Sequence, residues 1–410
     1  MGKPQRKRVA HRHGRRQSGA GEILEVHIER ILPGGAGLAH AGGRTILVGL
    51  AAPGDHLRVR LEQTRGNVSF AKILEILSPS PVRIEPPCPY FGRCGGCDFQ
   101  QLSYEAQLES KVEIIRDCLR RIAHIEPPQE IPITASPLAW RYRSRAQWQY
   151  DAVTRRLGYF ERGSHTVCDI AECPVLVPCL QDTLMDLRAR LKEGSLPEDV
   201  HEFQSVAGDE GASLVPSLTG EQSREVTRHI AGESYRFSAA GFFQINHELL
   251  TPLVNSAVSN ACGETALDLY CGAGLFTLPL ARRFRSVKGI EASVPAVAYA
   301  RRNLSDAGLA NASIECATVS SWLREHGDAL APIDYLLLDP PRTGAEAGTI
   351  DAILLLRPQR IAYISCDPAT LARDLKQLIN GGYNLDTLTA FDIFPQTHHV
   401  ETVARLEASC

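Results

Sequence analysis

From Glu233 onward, short apolar runs alternate with helical patterns. Strands are expected at Thr265–Tyr270, Ser286–Ile290, Ala312–Cys316, Ile333–Leu338, Ile361–Ile364, Leu385–Ile393 and His399–Leu406, with helices in the gaps up to about Asn380. Such alternation builds a doubly wound α/β sheet. The last two runs are joined only by Phe394 to His398. A parallel crossover needs a dozen or more residues, so the last strand must run antiparallel. Its start then lies on the edge where the parallel strands end, and ligands of open α/β sheets bind along that edge.

Four features collect there. Asp268-Leu269-Tyr270-Cys271-Gly272-Ala273-Gly274 is a strand, a glycine turn and the start of a helix. It lacks the G-x-G-x-x-G spacing of a pyrophosphate binder and suits a nucleoside without phosphate, such as S-adenosylmethionine. Glu291 ends the next strand, where an acid can bond ribose hydroxyls. Asp339-Pro340-Pro341-Arg342 leaves a very apolar strand, holding a charge at the lip that needs a partner. Cys366 lies between a strand and the helix that starts at Pro368, and Glu401 opens the antiparallel strand in His398-His399-Val400-Glu401-Thr402. A helix N-terminus is expected to lower the thiol's pKa. A lone cysteine there would simply pack; a thiol and a carboxylate together suit covalent plus general-base chemistry at uracil C5. A thiolate adding to C6 makes C5 nucleophilic toward a sulfonium methyl, and the base must leave its stack to be reached.

The rest of the chain divides into three pieces. Residues 1–20 form a basic arm, since seven lysines and arginines precede the first acid, Glu22; such an arm suits a phosphate backbone or is a solvated tail. Residues 21–78 read as a small OB-like β-barrel, with strands expected at Glu22–Arg30, Arg44–Leu50, His56–Gln63 and Ser69–Leu77 between Gly- and Pro-rich turns. Residues 79–232 read as a small α+β central domain, and 233–410 as the catalytic domain. The central piece carries Cys88-x5-Cys94-x2-Cys97 among glycines, with Cys168, Cys173 and Cys179 as candidates for a fourth ligand. Tetrahedral zinc and a [4Fe–4S] cluster both fit that spacing. A helix is expected over Ser103–Ile122 and another over Pro178–Lys192, and strand candidates lie at Arg155–Glu161, His201–Val206 and Ser213–Leu218. Trp140 to Arg145 and Trp148, on an apparent strand, interleave arginines with aromatics, as phosphate contact and base stacking or an exposed charged sheet face would require. Twelve cysteines in 410 residues argue for metal or catalysis over disulfides. A net charge of −3 does not announce a nucleic-acid partner, no apolar run reaches membrane-span length, and the N-terminus lacks a secretory core, so a cytoplasmic protein with no membrane association and no obligate protein partner is expected.

The motifs CPYFGRCGGC, ECPVL, FFQIN, DLYCGAG, LLLDPPRTGA, ISCDPATLARD and HHVET, which span nearly everything from Glu22 on, resemble those of the RNA uracil-C5 methyltransferases, in the branch with an N-terminal TRAM domain and an iron–sulfur cluster. The resemblance implies a class I S-adenosylmethionine methyltransferase fold. It implies Cys366 as nucleophile and Glu401 as proton acceptor. Gln244, Tyr270, Glu291 and Asp339 would contact S-adenosylmethionine, and Cys88, Cys94, Cys97 and Cys173 would hold a [4Fe–4S] cluster. It also implies 23S rRNA as the substrate, with the T-loop uridine of tRNA as the alternative. An amino-methyltransferase, suggested by the DPP motif, and a non-catalytic iron–sulfur RNA-binding protein are the rival classes. Two features depart from the family pattern: the basic arm has no counterpart, and Glu315-Cys316-Ala317-Thr318 offers no evident adenine contact.

Overall fold

The computed structural model describes residues 21–218, 223–327 and 332–409, so the basic arm lies outside the described residues. The described chain forms two compact units, one of residues up to Arg30 with Ala36–Pro81, the other of Ile31–Gly35 with Val82 onward.

The first unit is built on a six-stranded sheet in the order Ile23–His27, His56–Arg65, Val68–Ser78, Arg44–Val48, Gly37–Ala41, Arg30–Ile31. Alternate residues, among them Val26, Ile46, Val48, Leu57, Val59 and Leu61, share one core. The Gly37–Ala41 strand was not expected. Its run, Gly-Leu-Ala-His-Ala, has weak β propensity, and it exists because it pairs antiparallel with Arg44–Val48 across the Gly42-Gly43 turn.

The second unit contains a five-stranded antiparallel sheet in the order Val167–Asp169, Arg156–Phe160, Arg145–Asp151, Glu202–Gly208, Gly211–Val215. The Pro178–Glu193 helix covers it with Leu180, Leu184, Leu187 and Leu191, spaced at helical intervals on one face. The strand expected across Trp140 to Arg145 begins only at Arg145. Tyr142 and Trp148 are fully buried and fill the core, so neither ring serves as a stacking platform; Trp140 is half-buried and Arg141 exposed. The helix expected to reach Ile122 is α-helical over Tyr104–Cys118 and widens into a π-turn at Leu119–Ala123, closed by His124 in a left-handed conformation.

The larger sheet has eight strands, in the order Ala312–Cys316, Phe284–Glu291, Gly263–Leu269, Tyr335–Leu338, Arg360–Ser365, Glu401–Ala408, Tyr383–Phe391, Ile133–Thr134. The first five are mutually parallel. Leu336, Leu337 and Leu338 are all fully buried, as a continuous apolar run requires when helices cover both faces. As expected from the short final connection, Glu401–Ala408 is antiparallel, and it inserts between Arg360–Ser365 and Tyr383–Phe391. The edge strand Ile133–Thr134 comes from the segment before the five-stranded sheet, so the two sheets belong to one compact unit.

Candidate active site

Tyr270, Glu291, Asp339 and Cys366 sit where strands end, Glu401 opens its strand, and Gln244 lies in the loop after Glu233–Phe237. After Gly263–Leu269 the backbone turns left-handed at Tyr270 (φ 62°), Gly272 (φ 55°) and Gly274 (φ 90°). At Gly274 a side chain would also meet Leu278 at 3.0 Å, so the turn folds tightly onto the next helix. For Tyr270 that conformation is disfavoured, and its hydroxyl is anchored by accepting from the Glu346 N–H at 3.2 Å. Glu291 closes the neighbouring strand and accepts from the N–H of Gly272 at 3.0 Å and of Ser293 at 2.7 Å. Asp339, one strand across, donates its N–H to the Leu269 carbonyl at 3.2 Å.

These acids crowd one another. Asp268 is fully buried, accepts from Thr277 Oγ1, and is pushed up to about 8 by burial and by the charges of Asp339 and Glu291. Asp339 is pushed up to about 7 by burial and by Glu291. Glu401 is 2% exposed and stands well above the carboxylate range, because burial and Asp339 outweigh the opposing pull of Arg342. Asp268, Asp339 and Glu401 therefore resist full ionisation beside Glu291 at neutral pH unless a positive charge enters among them.

The pairing of Ser365 with Thr402 sets the geometry of the remaining pair. One step further along both strands places Cys366 opposite Glu401, and the Thr402 hydroxyl donates to the Ser365 carbonyl at 3.0 Å. Asp367 caps the Pro368–Asn380 helix, accepting from the N–H groups of Ala369 and Thr370 at 2.9 Å each. The expected lowering of the Cys366 pKa is reversed: burial raises it first, Glu401 and Asp339 add to that, and the thiol stands at about 12. The helix end cannot compensate, because the Asp367 carboxylate already occupies it.

A cleft of about 1080 Å³ opens over this edge. Gln244, Tyr270, Glu291, Asp339, Cys366 and Glu401 all line it, so the structure brings the six expected residues together. It adds residues that local sequence patterns did not single out. Phe242 is 61% exposed with the Arg145 guanidinium 5.8 Å from its ring centroid. Arg342 faces the carboxyl–thiol pair. The His398 and His399 rings lie 4.1 Å apart, tilted by 39°, and burial together with the charges of His398 and Arg342 pushes His399 down to about 3. Their signals were present in FFQIN, DPPR and HHVET, but only the fold points them into one space.

The cysteines Cys88, Cys94, Cys97 and Cys173 line a second, small cavity together with Tyr159 and Arg143. Cys168 and Cys179 do not line it. Burial raises all four thiols, Cys94 to about 11 and Cys97 to about 12. Burial pulls the Arg143 guanidinium down, but Tyr142, Tyr159, Cys97 and Cys173 hold it firmly charged. Among the described residues, no group of three or more His, Cys, Asp or Glu is arranged to hold a single metal ion. No helix among them is long and apolar enough to cross a membrane.

Numbered in chain order from Gly263–Leu269, the seven principal strands lie 3-2-1-4-5-7-6 with the seventh antiparallel. With an acid-lined glycine turn at the end of the first, this defines a class I S-adenosylmethionine-dependent methyltransferase fold. Residues 224–409 match the family model described as tRNA (Uracil-5-)-methyltransferase. Over 94% of its length the chain is 32% identical to the 23S rRNA (uracil(1939)-C(5))-methyltransferase RlmD of Vibrio parahaemolyticus, covering 96% of that protein. It is 33% identical over 95% of its length to an uncharacterized RNA methyltransferase of Thermosynechococcus vestitus, covering 99% of it. Among solved structures, the tRNA (uracil-54, C5)-methyltransferase of Pyrococcus abyssi in complex with S-adenosyl-L-homocysteine superposes with a TM-score of 0.71 at 26% identity, covering 93% of this chain and all of that one. The chain belongs to the RNA uracil-C5 methyltransferase family.

Proposed function

We propose that the enzyme methylates C5 of a uridine in RNA through a covalent adduct on Cys366, with Glu401 as the base. The carrying observation is the Ser365–Thr402 register, which sets Cys366 and Glu401 across from each other on the acid-lined edge. The Cys366 thiolate bonds to C6, and the C5=C6 electron pair moves onto C5 and its carbonyl. S-adenosylmethionine supplies the methyl group to C5 as a sulfonium. Glu401 then takes the C5 proton, the C5=C6 bond reforms and the C6–S bond breaks. Glu291, Tyr270, Gln244 and Asp339 hold the donor, and its positive charge is what the crowded carboxyls and the resting thiol require in order to ionise. Cys366→Ala should abolish both methyl transfer and the covalent RNA adduct; wild-type-like turnover in that variant would sink the mechanism. The same result separates this reading from an amino-methyltransferase, which needs neither group.

For the substrate we propose a uridine of 23S rRNA. The support is the near full-length likeness to RlmD proteins, also 34% identical over 93% of the chain in Pectobacterium atrosepticum. The tRNA reading has the Pyrococcus abyssi structure in its favour, at lower identity. Mapping 5-methyluridine in rRNA and tRNA of a deletion strain decides between them. The barrel of residues 21–78, which makes up most of the first unit, is read as the TRAM, OB-like module that binds RNA.

Cys88, Cys94, Cys97 and Cys173 are proposed to hold a [4Fe–4S] cluster. The donor set fits: four thiols line one cavity, the all-sulfur ligation such a cluster takes. Arg143 beside them balances anionic sulfur. When bound, such a cluster cross-links the Cys88–Cys97 loop to the Cys173 segment.

A further inference from the structure

The loop from Asp392 to Val400 leads directly into Glu401, yet most of its anchoring hydrogen bonds run away from the catalytic sheet. Gln396, 2% exposed, adopts a left-handed backbone (φ 67°), unusual for a residue with a side chain. It is gripped on every side. Its N–H donates to Gln107 Oε1 at 2.9 Å, and Gln107 Nε2 donates back to Gln396 Oε1 at 3.0 Å. Its carbonyl accepts from the N–H groups of Asp98 at 3.1 Å and Phe99 at 3.0 Å. Two residues on, the Asp98 carboxylate accepts from the His398 N–H at 2.9 Å and pairs with its Nδ1 at 2.5 Å. At the loop's start, the fully buried Lys111 ammonium bonds Asp392 and the Phe394 carbonyl, and Tyr104 donates to Asp392 at 2.8 Å. Nearly all these partners lie between Asp98 and Lys111, and Asp98 directly follows Cys97.

Cys366 is held differently. It sits between Ser365 and Asp367, whose local bonds and helix cap belong to its own strand and helix. The clamp therefore fixes Glu401 more than it fixes Cys366.

We infer that Asp98 and Gln107 are positioning residues for the C5 proton-removal step, holding the Glu401 loop against Cys366 so that the cysteine-bearing segment sets the rate at which the adduct resolves. The inference rests on Glu401 as the base. Small displacements of a reacting group can cost on the order of a hundredfold in rate.

The test uses full-length, iron-loaded Gln107→Ala and Asp98→Asn proteins beside Glu401→Gln. Gln107 is buried and outside the cleft, so it touches neither donor nor RNA. Asp98 itself lines the cleft, so Asp98→Asn, which keeps the shape and loses the charge, is read on kcat and adduct and not on KM. Iron content, S-adenosylmethionine affinity, kcat, KM for RNA and the covalent RNA adduct on denaturing gels are measured for each. We expect wild-type iron and donor binding, KM for RNA within about threefold in Gln107→Ala, kcat reduced about 10- to 100-fold in both variants, and adduct accumulating as in Glu401→Gln. Unchanged kcat in both variants, a lower kcat without adduct, or loss of iron or donor binding in both would each overturn the positioning role. If Glu401→Gln itself traps no adduct, the base assignment fails first; if it does and the other two do not, only the clamp fails.

Discussion

At the residue scale, the site is a concentration of negative charge that burial discourages from ionising. In the ligand-free protein Asp268 and Asp339 keep protons up to about pH 8 and 7, whereas in the unfolded chain they release them near 3.8. Between about pH 4 and 8 the native state thus binds more protons, so stability falls as pH rises through that window. Thermal unfolding of the ligand-free enzyme should show Tm decreasing from pH 5 to 8, with a shallower slope in Asp268→Asn; a rise in Tm would contradict the charge assignment. A cationic donor reverses the balance. Its affinity should increase with pH across the same range, with proton release detectable by calorimetry in buffers of different ionisation heat. The residue types at this site were legible in the motifs. Their protonation was not, because it depends on neighbours from other strands: the helix-end argument for Cys366 pointed the wrong way once burial, and then Glu401 and Asp339, outweighed it.

At the element scale, the Pro368–Asn380 helix shows how local chemistry fixes an end. Asp367 as cap, Pro368 at the first turn, and Leu371, Ala372, Leu375 and Leu378 on the buried face all agree. Replacing Asp367 with Ala should cost about 1 kcal/mol of stability, read from denaturant midpoints. Asp367→Asn retains a capping oxygen and removes a charge that opposes ionisation of Cys366. Its thiol should therefore alkylate faster than wild type at the same pH; an equal rate would mean Asp367 has no electrostatic hold on it. Periodicity placed this helix and all seven strands of the catalytic part within about two residues. It failed for Gly37–Ala41, whose pairing partner supplies what its composition lacks, and at Trp140–Ser144, where aromatic side chains follow the core and not a strand.

At the scale of the whole molecule, one compact unit joins the methyltransferase sheet to the cysteine-bearing segment, through the edge strand Ile133–Thr134 and the clamp on the Glu401 loop. On the proposed cluster, which would bring about four irons per chain, Cys97→Ser should lower iron content and Tm together, since the Cys88–Cys97 loop would lose its cross-link. Colourless wild-type protein with zinc and no iron would reject the cluster. RNA affinity should fall steeply with salt in proportion to the phosphates contacted, while donor affinity should not.

The sequence by itself determined the class of fold, because alternating apolar periods admit few topologies and a five-residue final connection admits only an antiparallel strand. It also determined which residue types stand at the strand ends. Tertiary structure alone decided that the last strand inserts beside Arg360–Ser365, a register that sets Glu401 opposite Cys366 from thirty-five positions away. Spacing left Cys168, Cys173 and Cys179 open, the ECPVL resemblance pointed to Cys173, and the tertiary structure puts Cys173 in one cavity with the other three. Pairing register and cavity walls are set by contacts between segments remote in the chain, and local composition carries no record of them.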